Sequence, residues 1–374
     1  MSRIITSFFI LIIISPLIGW LLGINMELAE NRILSQKPAI SFMSVLNNDF
    51  YAQYEEYFNE HFIYRAWLIK AKNWTDYQIF NTSPSPKVYV GTNGWLYYHD
   101  DFRDDCNIEE KMDELAQQLH NLETVIEASG RKFMFIVAPN KSTIYPEYTG
   151  FTSLKKCSKS GYEYLLDAFK KYPVNNFIRF EDLLTASKKE HQLYFKLDTH
   201  WNLYGAEIVC KAILKHLSAD SWSELYPKIE SSSVNRSGDL ADIMGLSSFL
   251  HETADTPDKI HYLSEIKVDN LKPLENGRPH FRVIAKPPSD KYLLPRVLFI
   301  RDSFMTLPLE LLQGSFEQLY AIWTPNLLTQ EVLDEIRGSD IVILEIVERD
   351  LPAINIDVRK VETSLTDKIY DSKN

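Results

Sequence analysis

Three cysteines in 374 residues, a deficit of basic against acidic side chains and no internal repeat or low-complexity tract set the outer limits of this sequence. The cysteines are too few and too scattered for a structural zinc module, since no Cys/His group has metal-ligand spacing. The pairs Asp198/His200 and His251/His261 are likewise too sparse for a three-ligand metal set, so no metal and no cofactor are expected. With 40 Lys and Arg against 51 Asp and Glu, the formal charge is −11. No basic stretch is interleaved with aromatics, which excludes a nucleic-acid footprint. What the chain does hold is 45% hydrophobic residues, enough for a sizeable core in one large domain plus extra elements or in two small domains. Its 20 Tyr, 20 Phe and 7 Trp suit carbohydrate contact, although most belong in the core.

Only one long stretch lacks charge altogether. From Ile4 to Ile24 the run IITSFFILIIISPLIGWLLGI, at a rise of roughly 1.5 Å per residue, reaches across a bilayer core of roughly 30 Å. Arg3 before it favours a cytoplasmic N-terminus with everything after residue 25 exported. The run is longer than a signal-peptide core and no small-x-small site follows it before Met26, so an uncleaved anchor is expected over a cleaved leader. Export agrees with the cysteines. Cys106 and Cys157 lie in polar, loop-like stretches and are expected to pair in a disulfide, whereas Cys210 falls on a helical pattern and is expected to be buried.

Behind the anchor, aromatic residues at Phe50, Tyr54, Tyr57, Phe58 and Phe62 recur at helical intervals within a pattern from about Ala39 to Phe80, a helical extension over 26–86. Residues 88–100 read as a hairpin about Thr92-Asn93-Gly94. A helix from Ile108 to Ser129 precedes the apolar strand 132–139, and a helix at Gly161–Lys171 precedes the short strand Phe177–Phe180. Apolar runs at RVLFIRDSF and DIVILEIVE flank a further strand at Gln318–Trp323, with helices at Phe304–Leu312 and Thr329–Arg337 between them. Strand alternating with helix is the mark of a doubly wound α/β sheet, which binds ligands beyond the carboxyl ends of its strands. The stretch from Asp220 to Pro295 is rich in Ser, Asp, Pro and Gly and reads as a surface-loop insertion within a domain spanning 87–360. The tail from Thr363, within 361–374, is expected to fray.

Chemistry concentrates in YFKLDTHWNLYG, residues 194–205. Asp198 and His200 sit two apart at the expected start of a helix, and Ser303 follows an apolar strand at a strand-to-helix turn. Together they suit a Ser-His-Asp site for acyl transfer, with Ser303 attacking, His200 taking its proton and Asp198 holding the imidazole. Each also has a structural explanation: Asp198 as a helix cap, Ser303 as the cap of the helix ending near Leu312 with Asp302 competing for that role, His200 as a first-turn surface residue, Trp201 as core. Asn140 and Lys141, at a neighbouring strand end, are candidate oxyanion donors, and Trp201 and Tyr204 candidate sugar platforms. Water or a sugar hydroxyl would both discharge an acyl-serine, so esterase and transferase stay open, as does a non-catalytic polysaccharide-binding or assembly role.

The motif set resembles the alginate O-acetyltransferase family, whose domains are SGNH-hydrolase-like. ENRIL, YEEYFNEHFIYR (54–65), VYVGTNGWLYY (88–98), APNKSTIYPE (138–147), FKLDTHWNLYGA (195–206), SGDLADIMGL (237–246), VLFIRDSF (297–304) and VILEIVERDL (342–351) match in order. The Asp-x-His-Trp segment preceding the Asp-Ser-Phe segment is the specific part. The resemblance implies a three-layer sandwich with a mostly parallel sheet behind an N-terminal transmembrane helix, with Ser303 as nucleophile, His200 as base and Asp198 as its partner. It also implies acetylation of an alginate-like exopolysaccharide in the periplasm, on a domain held at the inner membrane, with a membrane-bound O-acyltransferase delivering the acetyl group. The chain departs from the family at Arg301, where glycine is usual. Its guanidinium is a candidate for oxyanion or substrate-carboxylate contact, or for a surface ion pair.

Overall fold

The computed structural model describes residues 2–22, 34–102, 106–150, 157, 159–218, 220–271, 280–288, 292–323 and 328–371. The chain divides into two units, residues 1–85 with 244–246 and residues 86–243 with 247–374. In the first unit the apolar run forms the helix Ser2–Leu21, with Pro16 inside it. Among the described residues no helix is long and apolar enough to cross a membrane, so the expected spanning anchor is not found; ENRIL lies almost wholly outside those residues. The expected helical extension is broken into Phe42–Val45, Asn48–Glu60 and Arg65–Gln78. Asn47 caps the second of these by accepting the Asp49 N–H at 3.0 Å.

The second unit opens with the hairpin β1 (Val88–Val90) and β2 (Leu96–Tyr98). Asn93 and Gly94 take φ of 55° and 78° at its turn, the left-handed conformation these two residue types tolerate. Next come β3 (Lys132–Ala138) and β4 (Phe177–Ile178), then β5 (Lys228–Arg236), β6 (Glu252–His261), β7 (Glu265–Asn270) and β8 (His280–Lys286). The last three strands are β9 (Val297–Arg301), β10 (Gln318–Trp323) and β11 (Ile341–Val347). Seven of them form one sheet in the order β4-β3-β11-β9-β10-β8-β7. The first five run parallel, while β8 is antiparallel to β10 and β7 to β8.

The sheet is therefore mixed though mostly parallel, and its two antiparallel strands come from the stretch expected to be surface loop. That expectation also misses β5 and β6, a separate antiparallel pair. The sequence KIESSSVNR gives β5 no apolar alternation, because most of its side chains face solvent; the ladder to β6 makes the strand, not burial.

Alternate residues of the parallel strands feed two cores. Met134, Ile136, Phe299 and Ile343 pack with Ala206, Val209 and Ile213 of the helix Leu203–Leu217. Phe133, Phe135, Leu298 and Leu344 pack on the opposite face with Met112, Leu115 and Leu119 of Glu109–Ala128. Each such side chain removed from water contributes about 1.5–3 kcal/mol, which is why both faces of these strands read as continuous apolar runs. Thr363, where the tail is expected to begin, lies within a helix. The helix Val358–Asp371 runs through it because Val361 is buried in the second core and Leu365 packs against that core.

A Cys106–Cys157 disulfide links the approaches to the helices Glu109–Ala128 and Gly161–Ala168. Cys210 is buried and free. The adjacent strands β3, β11 and β9 all end on one side of the sheet, and the polar residues that follow them meet there.

Candidate active site

The turn that carries Ser303 is built by Asp302. Its backbone is extended (φ −105°, ψ −162°), and its Oδ1 accepts the Phe304 N–H at 2.8 Å, capping the 3-10 turn Ser303–Met305 that leads into the helix Thr306–Leu312. Its Oδ2 accepts the Val347 N–H at 2.7 Å, and its own N–H donates to Glu345 Oε2 at 2.9 Å. Asp302 thus ties the end of β9 to the end of β11. Glu345 beneath it is 2% exposed. Burial and the neighbouring Asp302 charge push its carboxyl well up. Ser303, one residue on, is half-buried at the strand end, and its hydroxyl makes no hydrogen bond among the described residues.

Asp198 and His200 lie in a tight loop, not in the first turn of a helix. Tyr194 and Trp201 form a bridge across it, and Asn202 is the residue that caps Leu203–Leu217, accepting the Gly205 N–H at 3.2 Å. Two glycines let the chain close around the loop: a Cβ on Gly205 would come within 2.5 Å of the Leu193 carbonyl, and one on Gly238 within 2.3 Å of the Leu197 carbonyl. The backbone of the loop is held from below by Lys141, whose Nζ donates to the carbonyls of Phe195, Lys196 and Asp198 at 3.2, 3.1 and 2.7 Å. From the side, Glu252 on β6 accepts the Lys196 and Leu197 N–H groups, both at 2.8 Å.

Within this frame His200 Nδ1 lies 2.7 Å from Asp198 Oδ1. Arg236, at the end of β5, donates from Nη2 to Asp198 Oδ2 at 3.0 Å, with its guanidinium 3.8 Å from the Phe195 ring centroid. Burial opposes ionisation of Asp198, but the His200 hydrogen bond, the His200 charge and the Arg236 charge outweigh it and hold the carboxyl well below its ordinary range. Asp239 accepts from the Thr199 N–H at 2.8 Å and the Thr199 hydroxyl at 2.6 Å. Its own carboxyl is pushed up by burial and by Asp198. The outer nitrogen of the imidazole, Nε2, is buried and has no hydrogen-bond partner. The His200 ring lies 4.9 Å from that of Phe304, the residue after Ser303.

The remaining predicted residues are placed less simply. Asn140 is buried beside the site, its N–H donating to Glu348 Oε2 at 2.9 Å and its Oδ1 unpartnered. Lys141 is fully buried and its three carbonyl contacts spend its donors on the loop, so it reaches no oxyanion position; burial lowers its ammonium to about 8 despite Asp101 and other nearby carboxylates. Arg301 is 5% exposed: Nη1 donates to the Asp302 carbonyl at 3.0 Å and to Thr306 Oγ1 at 3.2 Å, and the guanidinium lies 4.8 Å from the Trp323 ring. Trp201, 1% exposed, packs edge-on against Phe304 and presents no sugar platform. Tyr204 donates to Asp255 at 2.6 Å, and His191 is stacked on one of its faces at 4.4 Å.

Donor atoms of Asp198, His200 and Asp239 lie within 4.8 Å of one another, a spacing that would admit a cation. Arg236 already supplies positive charge to Asp198, and the Asp198–His200 and Thr199–Asp239 hydrogen bonds use the same atoms. Glu345, Glu348 and Arg349 are legible in the sequence as polar residues at a strand end but without a role, whereas Arg236, Asp239 and Asp101 are missed there. Asp239 lies in the SGDLADIMGL motif, and a lone carboxylate inside the buried run IVILEIV was the available signal for Glu345.

Residues 88–271 match the family model described as "SGNH hydrolase-like domain, acetyltransferase AlgX". Over 201 residues the chain is 23% identical to the probable alginate O-acetylase AlgJ of Pseudomonas putida, covering 52% of this chain and 51% of that one. Over 192 residues it is 24% identical to the corresponding protein of Pseudomonas syringae, covering 50% and 48%. The chain thus spans about half the length of the curated relatives it matches. The solved O-acetyltransferase domain of Pseudomonas putida AlgJ superposes with a TM-score of 0.51 at 18% identity, covering 75% of this chain and 99% of that one, a likeness of fold. Residues 88–271, just under half of the chain, thus match the SGNH hydrolase-like domain of the acetyltransferase AlgX, and about half of the chain is homologous to the AlgJ alginate O-acetylases.

Proposed function

We propose that the chain is an O-acetyltransferase that carries acetyl on Ser303 and delivers it to hydroxyls of an alginate-like polysaccharide. The observation that carries this reading is the state of His200. Its Nδ1 is fixed by an ionised, Arg-backed Asp198, and its Nε2 is buried without a partner beside the ring that follows Ser303. An imidazole whose Nδ1 is held by a carboxylate and whose Nε2 is unspent has the arrangement a general base requires.

In the first step Ser303 Oγ attacks the carbonyl carbon of an acetyl ester and His200 Nε2 takes the hydroxyl proton. The tetrahedral adduct collapses by breaking the bond to the leaving oxygen, which receives that proton from His200. In the second step a sugar hydroxyl gives its proton to His200 and attacks acetyl-Ser303; the bond to Oγ breaks and the proton returns to the serine. The Ser303 N–H and the Asn140 amide are the candidate donors to the oxyanion. The acetyl group would come from a membrane-bound O-acyltransferase. The setting we propose is the periplasm, which the Cys106–Cys157 disulfide suits, since such bonds persist in oxidising compartments.

Intact-mass analysis of the protein after incubation with an activated acetyl ester tests the reading. One acetyl adduct is expected, mapping to Ser303, absent in S303A and discharged faster by a polyuronate oligomer than by water. An adduct that water removes as fast as glycan would make the protein an esterase, and an equal adduct on S303A would remove Ser303 from the chemistry.

A further inference from the structure

A second charged group stands at the site with donors left over. Arg349 follows Glu348 in the 3-10 turn Glu348–Ala353 directly after β11, the strand beside β9. Its guanidinium lies 5.3 Å from the ring centroid of Phe304, the same ring that packs on His200, and 5.2 Å from that of Tyr98. Nη1 donates to Asp101 Oδ1 at 3.2 Å; Asp101 is 1% exposed at its side chain and Arg349 is 11%. Among the described residues this is the only hydrogen bond of Arg349, so most of the guanidinium's five donors are unspent.

The arrangement is more than a structural ion pair. A bidentate Arg–Asp pair would use both carboxylate oxygens, yet Asp101 Oδ2 has no partner. Asp101 therefore fixes the guanidinium through one nitrogen, and two aromatic rings, one of them that of Phe304 next to Ser303, limit its swing. A planar, permanently charged fork with free donors is suited to a carboxylate, which it can bind through two parallel hydrogen bonds.

We propose that Arg349 binds the carboxylate of an acidic sugar in the acceptor chain, so that its pairing with Asp101 and stacking on Phe304 make the site select uronate-bearing over neutral polysaccharide. The proposal rests on the acetyl-transfer reading above and assigns the acceptor's charge to a particular residue. Arg349 is a binding residue here; it takes no proton and forms no bond in the reaction.

Binding is measured on the full chain carrying S303A, which separates recognition from turnover. The probes are a linear oligouronate and the same oligomer with its carboxyl groups reduced to alcohols. A charge-assisted pair of about 1.5–3 kcal/mol corresponds to a preference of about 10- to 100-fold for the charged probe. R349Q is expected to reduce that ratio to near one. An unchanged ratio in R349Q overturns the proposal, as does the lack of any preference in the S303A protein. If R349Q does not fold, R349K, which keeps the charge against Asp101 but loses the fork, is expected to lower the ratio severalfold, and an unaltered ratio there is equally fatal. Failure to find acetyl-Ser303 in the wild type would instead defeat the transferase reading and leave the binding result standing.

Discussion

Asp198 is the residue on which the geometry of the site turns, because it is both buried and charged. A carboxylate in that position survives ionised only through its partners, and Arg236 is the one that the reaction itself never titrates. Its folded pKa is depressed, so the stability it contributes is present above the ordinary carboxylate pKa and is lost as pH falls through the folded value. Arg236→Gln removes a cation and moves that loss to higher pH. The acid side of the pH–rate profile for acetylation of Ser303 is expected to shift upward and kcat/KM at neutral pH to fall about tenfold, or ~1.4 kcal/mol, with partial rescue by Arg236→Lys. An acid limb that stays in place while the rate falls would show that Arg236 acts through packing on Phe195 alone. Asp198, His200 and Ser303 could be read in the sequence because they sit in short motifs. Arg236 and Asp239 could not be given roles, since a Coulomb partner is chosen by tertiary contact and nothing local marks it.

At the scale of elements, the apolar parallel strands were legible and the polar hairpin was not. β3, β9 and β11 declare themselves because both their faces are buried, whereas β5 has only Ile229 and Val234 as apolar residues and exists through its ladder to β6. That hairpin nevertheless supplies Arg236 and Glu252 to the site, which is why a reading by hydropathy left the site half assembled. The strand ends are joined by an equally unadvertised contact: Glu348 Oε2 accepts both the Asn140 N–H and the Thr143 hydroxyl, at 2.9 and 2.6 Å, tying β11 to the segment after β3. Burial raises its carboxyl from 4.5 to about 7 despite those hydrogen bonds. Between those two values the folded state holds more protons than the unfolded chain, so stability falls as pH rises through that window. Glu348→Gln keeps both acceptor contacts and removes the titration. Thermal unfolding followed from pH 4.5 to 7.5 is expected to lose less Tm with rising pH in the variant than in the wild type. Asp101, raised to about 6 mainly by burial, leaves a smaller slope of the same sign in both. Parallel Tm curves for the two proteins would remove Glu348 from the pH response.

For the second unit as a whole, the disulfide separates what holds the domain together from what performs chemistry. Cys106 and Cys157 have their Cα atoms 5.2 Å apart and are separated by 51 residues in sequence. Each lies just before a helix that packs into the core on the sheet face away from Leu203–Leu217, through Met112 and Leu115 in one and Tyr162 and Leu165 in the other. Closing a loop of that size removes chain entropy from the unfolded state worth about 4 kcal/mol, whereas neither sulfur belongs to the proposed triad. C106S, C157S and the double variant should therefore lose nearly the same unfolding free energy in urea, because one bond is removed in each case, and reduced wild type should match them. Initial acetylation rates of Ser303 at 25 °C, compared at equal folded fraction, should remain those of the oxidised protein. If rates fell further than the folded fraction, the bond would be transmitting strain or order to the strand ends through the turn His99–Phe102, which carries Asp101 and with it Arg349.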